Sequence, residues 1–218
     1  MKIENSPAAY GWLAGLLVLL LGILLGNSGC HPVPRRDAQV AFESAVLIKS
    51  SCVTPEGAFY EGYGSGVIVD SYTILTAAHV AYDEDVCMYT ALMSNDTTYV
   101  LMRSIVLIEP DVATMTSLTP FAPTYDVAFA PMPGLGETVC VQTAYPRWAF
   151  ACGERQYSAL DGTFLLSLIV EPGNSGSGVY DGNGRLVGII THLIRCSNGQ
   201  ICAGRATALE GHLRELFP

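Results

Sequence analysis

Basic charge is scarce in this chain. Eleven Lys and Arg stand against 20 Asp and Glu in 218 residues, for a formal net charge of -9. Without a basic excess there is no electrostatic reason to expect a nucleic-acid partner. Charge of either sign is sparse too: 14% of residues are charged and 50% are hydrophobic, which excludes a disordered chain. No Cys-x-x-Cys pair occurs among the seven cysteines, so zinc-site spacing is missing and no metal is expected. There is no internal repeat, and no low-complexity tract outside the N-terminal region. What remains is a globular domain, or two closely packed subdomains, with an odd number of thiols to place.

The longest absence is local. Between Glu4 and Arg35 there is no Asp, Glu, Lys or Arg, and Leu13–Leu25 is leucine-rich. The apolar stretch from about Ala8 to Gly26 is close to the roughly 20 residues a spanning helix needs, and it also suits a signal-peptide core. Asn27-Ser28-Gly29-Cys30 resembles the lipobox of bacterial lipoproteins, although Asn27 stands where that family usually has Leu. Three fates of residues 1–30 stay open: lipidation of Cys30, an uncleaved signal anchor, or ordinary signal cleavage. Lys2 and Glu4 nearly cancel, and Arg35 and Arg36 lie beyond the segment, so charge does not settle orientation. Setting Cys30 aside leaves Cys52, Cys87, Cys140, Cys152, Cys196 and Cys202, which can pair completely in an oxidising compartment. The expected location is therefore membrane-anchored and extracytoplasmic, periplasmic or at the cell surface. Residues 31–39, proline-rich and polar, read as a tether.

The chain from about residue 40 to 218 has an all-β pattern. Ala45–Ile48, Gly66–Val69, Tyr99–Met102, Ile105–Ile108, Val127–Ala130, Thr138–Val141 and Leu186–Ile190 are short runs rich in β-branched and aromatic residues, separated by Gly, Pro, Asp and Asn. Asp181-Gly182-Asn183-Gly184 signals a hairpin. Only residues 209–217 look helical, with Leu209, Leu213, Leu216 and Phe217 on one side.

Three motifs carry chemistry. Gly64–Val80 reads as two strands leading to His79, with the small Ala77 and Ala78 letting the turn pack closely and leaving the imidazole at a cleft. Tyr125-Asp126-Val127-Ala128-Phe129-Ala130 places a carboxylate at the start of a buried run, where it needs a donor such as a histidine N–H. Pro172-Gly173-Asn174-Ser175-Gly176-Ser177-Gly178-Val179 is a glycine-rich turn that can point the N–H groups of Gly173 and Ser175 at one oxyanion while presenting Ser175 as nucleophile. A second Asp-Val-Ala, Asp111-Val112-Ala113, leaves the orienting carboxylate open by pattern. Asp126 is preferred because it opens a buried strand-like run just before the break at Pro131-Met132-Pro133-Gly134.

In the order His79, Asp126, Ser175 the chain resembles the trypsin-like (chymotrypsin-fold) serine proteases. Gly-Asn-Ser-Gly-Ser is similar to the nucleophile motif of the HtrA-type and glutamyl-endopeptidase-type branches. The resemblance implies two six-stranded Greek-key β-barrels, the first over about 40–131 and the second over about 135–208, followed by a C-terminal helix at 209–217. It further implies a serine endopeptidase acting on protein or peptide substrates through an acyl-enzyme, with no cofactor. Asn174 replaces the Asp that zymogen-type members use to bind a new N-terminus, so activation by N-terminal cleavage is not expected.

By the same resemblance Ile169, Thr191, His192 and Leu193 wall the substrate pocket, with Ile169 near its base. No acidic residue stands there, so an apolar or small P1 residue is expected, and a glutamate preference is the lesser alternative. His31, His192 and His212 carry no motif of their own. Six cysteines allow fifteen pairings. The favoured set is Cys140 with Cys152 across a hairpin, Cys196 with Cys202 closing a loop beside the pocket, and Cys52 with Cys87 by remainder. Asn95-Asp96-Thr97 matches a glycosylation acceptor. The rival reading is a protease-fold binding or inhibitory module that works through its surface and not through turnover.

Overall fold

Along each strand the apolar side chains recur on one face, and closing six such strands into a barrel buries that face while removing the open edges a sheet would otherwise expose. The computed structural model describes residues 39, 41, 43–82, 85–122, 125, 127–158 and 161–217, all within a single unit, Pro32–Pro218. The leucine-rich segment, Cys30, most of the tether and Asp126 lie outside the described residues. Among the described residues no helix is long and apolar enough to cross a membrane.

The first barrel comprises β1 (Ala45–Val53), β2 (Phe59–Ile68), β3 (Thr73–Thr76), β4 (Val86–Met93), β5 (Thr98–Leu107) and β6 (Val112–Ser117). They close in the order β1-β2-β3-β6-β5-β4. The second holds β7 (Thr138–Thr143), β8 (Ala149–Ser158), β9 (Thr163–Leu166), β10 (Gly178–Asp181), β11 (Leu186–Arg195) and β12 (Ile201–Ala208). Its order, β7-β8-β9-β12-β11-β10, repeats that of the first. All of these pairings are antiparallel.

Val46, Ile48, Ile68, Ile74, Met93 and Met115 fill the first barrel. Val139, Val141, Phe164, Leu166, Val187 and Ala206 fill the second. A third cluster joins them, with Val67, Leu75 and Val112 from one barrel meeting Tyr180, Leu186 and Ile189 from the other under Leu209 and Leu216.

Three elements differ from the sequence pattern. Tyr99–Met102 and Ile105–Ile108 belong mostly to one strand, β5, whose register slips between Arg103 and Ile105, so a bulge separates the two apolar runs. Val127–Ala130 is not a strand. It makes a single bridge, Phe129 to Leu186, and its apolar character reflects burial between the barrels. The C-terminal helix is shorter than residues 209–217: α2 covers Leu213–Leu216, after a turn through Glu210 and Gly211. The apolar side is nevertheless used as expected, with Leu209 and Leu216 buried.

All six cysteines expected to pair do so as Cys52–Cys87, Cys140–Cys152 and Cys196–Cys202. The first two link residues directly opposite each other, in the β1–β4 and β7–β8 ladders. The Asp181–Gly184 turn joins β10 to β11, and the Asp181 carboxylate accepts the N–H groups of Asn183 and Arg185, each at 2.9 Å.

Candidate active site

Strand β3 delivers the imidazole. Ala77 and Ala78 after it are buried, and the chain turns into α1, Ala78–Ala81, which carries His79 in its first turn with half of its side chain exposed. In the β3–β6 ladder Thr76 faces Ala113. Continuing that antiparallel register by two residues brings Asp111 opposite Ala78, beside His79. The Asp111 N–H donates to the Ile108 carbonyl at 2.9 Å, closing a turn that leaves Asp111 in the left-handed region at φ +66. Asp is among the few L-residues that tolerate this conformation.

The carboxylate of Asp111 grips the histidine at two points. Oδ1 accepts the His79 backbone N–H at 3.0 Å, and the ring Nδ1 lies 2.9 Å from Oδ2 and 3.1 Å from Oδ1. A carboxylate can only accept at the pH where it is ionised, so Nδ1 carries the proton and Nε2 is left as the basic nitrogen. The carboxylate on His79 among the described residues is Asp111, the second of the two Asp-Val-Ala candidates, while Asp126 lies outside the described residues. The reason is in the ladder: Asp111 opens strand β6, hydrogen-bonded to the strand that ends beside His79, whereas the run after Asp126 forms no strand.

Ser175 sits in the turn before β10, on the second barrel, and lines the same cleft of about 1030 Å³ as His79 and Asp111. Among the described residues no hydrogen bond joins Ser175 to His79, a contact that sites of this kind often tighten only around substrate. The turn depends on two glycines. Gly173 has φ +91 and Gly176 φ +86, both in the region that favours glycine. A Cβ at Gly173 would also collide with the Tyr145 ring, and one at Gly176 with Ser65 O and Thr76 Oγ1. Among the described residues the N–H groups of Gly173 and Ser175, expected as oxyanion donors, make no hydrogen bond, while the neighbouring N–H groups of Asn174 and Gly176 donate to Glu171 and Ile190 carbonyls.

Asn174 is buried and held from three sides. Its N–H donates to the Glu171 carbonyl, its Oδ1 accepts the Glu171 N–H at 2.7 Å, and its Nδ2 donates to the Tyr145 carbonyl. A neutral amide is satisfied here by neighbouring peptides, with no ammonium required.

Thr191, His192 and Leu193 line the cleft together, and the His192 ring centroid is 6.4 Å from that of His79. Ile169 does not join them. It is 70% exposed and borders a separate cavity of about 140 Å³ with Pro146, Arg147 and Glu171. The inward position goes to Val170, which packs into the second barrel's core. Sequence reasoning did not single out Arg205, Asp161 or Thr163, which line the wall beyond His192. Arg205 pairs with Asp161 at 2.7 Å and donates to Thr163 Oγ1 at 3.0 Å. Hydrogen bonds from Thr163, with the Arg205 charge behind them, hold the Asp161 carboxyl below its ordinary pKa. These three meet through the β9–β12 pairing, which carries no local sequence signal. Among the described residues no group of three or more His, Cys, Asp or Glu side chains is placed to hold a metal.

No protein-family model and no curated protein matches the sequence. Solved structures are similar in fold. The HtrA-type protease AlgW with decapeptide aligns over 83% of this chain and 65% of its own, at 16% identity and a TM-score of 0.68. An AlgW variant with decapeptide aligns over 81% and 64%, at 16% identity and a TM-score of 0.67. The chain thus spans a little under two thirds of the length of these structures and shares their trypsin-like protease fold.

Proposed function

We propose that this protein is a serine endopeptidase that hydrolyses protein or peptide substrates through a His79–Asp111–Ser175 triad. The observation that carries the reading is the two-point grip of Asp111 on His79 in a cleft that also presents Ser175. In the reaction Ser175 Oγ attacks the scissile carbonyl and His79 Nε2 takes its proton, later giving it to the leaving amine. Asp111 keeps the ring oriented and stabilises the imidazolium, and the unbonded N–H groups of Gly173 and Ser175 receive the oxyanion. Water then releases the acyl group by the same path in reverse. Binding of a decapeptide by the HtrA-type structures agrees with a peptide substrate.

The internal satisfaction of Asn174 supports an enzyme competent without N-terminal trimming. Three disulfides support folding in an oxidising compartment, and the apolar segment ending at Cys30 supports attachment to a membrane there. With Ile169 outside the cleft, the proposed preference for an apolar or small P1 residue rests on Thr191 and Leu193 in the cleft wall.

Covalent labelling with an alkyl fluorophosphonate tests the reading. Full-length oxidised protein is expected to label at Ser175, with labelling abolished in Ser175→Ala and reduced by at least about a thousandfold in His79→Ala. Wild-type protein that labels no faster than Ser175→Ala would instead favour a binding module on a protease fold.

A further inference from the structure

Ser65 lies on β2 of the first barrel, 1% exposed, yet three of its polar atoms are committed across the molecule. Its N–H donates to the Ser175 carbonyl at 2.7 Å and its Oγ donates to the Gly173 carbonyl at 3.0 Å. Its own carbonyl accepts from Thr76 Oγ1 at 2.7 Å, three residues before His79. One residue therefore holds the carbonyls of both residues whose N–H groups make no hydrogen bond among the described residues, and ties them to the strand that leads to His79.

We infer that the Ser65 hydroxyl is a positioning residue for the oxyanion hole. The inference rests on the reading of Ser175 as nucleophile. Glycine at 173 is required by φ +91 and by the Tyr145 ring, but the missing Cβ also leaves the peptides on either side freer to rotate. The Gly173–Asn174 peptide is consequently fixed by its partners, with Ser65 Oγ on its carbonyl and the Glu171 carbonyl on its N–H. The Ser175–Gly176 peptide is gripped in the same way, by the Ser65 N–H at one end and the Ile190 carbonyl at the other. With these two peptides held, the Ser175 N–H between them is fixed in direction, and so is the near side of Gly173, whose N–H belongs to the peptide just before the first. Removing the hydroxyl frees one end of the first peptide, and a hole whose donors must reorganise during reaction loses much of its effect.

The test uses full-length oxidised protein and an alkyl fluorophosphonate. Ser175 Oγ bonds to phosphorus, the P–F bond breaks, fluoride leaves, and the Oγ proton passes to His79. Ser65→Ala is expected to lower the limiting labelling rate by about tenfold to a hundredfold, with the half-saturating probe concentration unchanged, since loss of a complete oxyanion donor costs about 10²- to 10³-fold. Ser65→Thr, which keeps a hydroxyl, should recover most of the rate. Ser44→Ala removes a different buried hydroxyl, bonded to the Ala41 carbonyl and 3.4 Å from the Tyr180 hydroxyl, and controls for losing a buried hydroxyl near the barrel interface without touching residues 173–176. Each variant is assayed about 15 °C below its own melting midpoint, so that a folding defect is not read as a rate effect. A Ser65→Ala rate within about twofold of wild type, or a loss matched by Ser44→Ala, overturns the inference. Failure of the wild-type protein itself to label at Ser175 would overturn the proposed function instead.

Discussion

At the scale of single residues, the chemistry turns on which carboxylate reaches the Nδ1 side of His79. Asp111 does so with both oxygens, and its left-handed backbone is one that Asn adopts as readily as Asp. Asp111→Asn therefore removes the charge with little cost to the turn, while an amide that donates to Nδ1 traps the wrong tautomer. On the proposed mechanism the fluorophosphonate rate should fall by about 10⁴-fold, the loss seen when a Ser-His-Asp triad loses this charge. Asp126→Asn should stay within about twofold of wild type. Reversed effects in the two variants would show that Asp126 is the orienting group. The two Asp-Val-Ala segments look alike in sequence, so the choice between them was not local. It needed the knowledge that β6 pairs with β3, and that the strand after Asp126 does not form.

Among the elements, the two barrels share one strand order, and each disulfide acts on a different part of it. Cys52–Cys87 joins the strands that close the first barrel and spans 35 residues, Cys140–Cys152 spans 12 within a hairpin, and Cys196–Cys202 spans 6 at the far end of β11 and β12. If the bridges act mainly by restricting the unfolded chain, replacing both cysteines by Ala should cost about 3.5 kcal/mol for the first pair and about 2 kcal/mol for the last. Denaturant unfolding checks the ranking, and a larger loss at Cys196–Cys202 than at Cys52–Cys87 would contradict it. The pairings were legible because hairpins bring neighbouring cysteines together, leaving one pair by elimination. Length and continuity were less legible. A bulge at Arg103–Ile105 kept one strand looking like two, and burial between barrels made Val127–Ala130 look like a strand without a ladder.

For the molecule as a whole, the interface between barrels matters most, because His79 and Asp111 belong to one barrel and Ser175 to the other. Tyr180 sits in that interface, 1% exposed, with its hydroxyl 3.4 Å from Ser44 Oγ. Burial pushes its pKa up to about 12, the Ser44 contact opposing the shift. A folded-state pKa above the unfolded value of about 10 gives stability that is complete below about pH 10 and is lost as pH rises through about 12, on the order of 2 to 3 kcal/mol. Tyr180→Phe should flatten that part of the alkaline unfolding curve. Tyr125, also raised to about 12 by burial, would keep a residual slope of the same sign. An unchanged profile in Tyr180→Phe would remove the interface tyrosine from the account. The sequence alone determined the β-barrel class and singled out His79, Ser175 and the glycine turn around it as the candidate site, because their signals are contiguous: short apolar strands, small residues before a histidine, glycines around a serine. Tertiary structure brought Asp111 onto His79, took Ile169 out of the cleft and set the span of Ser65 across both barrels. These depend on ladder register and on contacts between residues as far apart as Ser65 and Ser175, which no local pattern encodes.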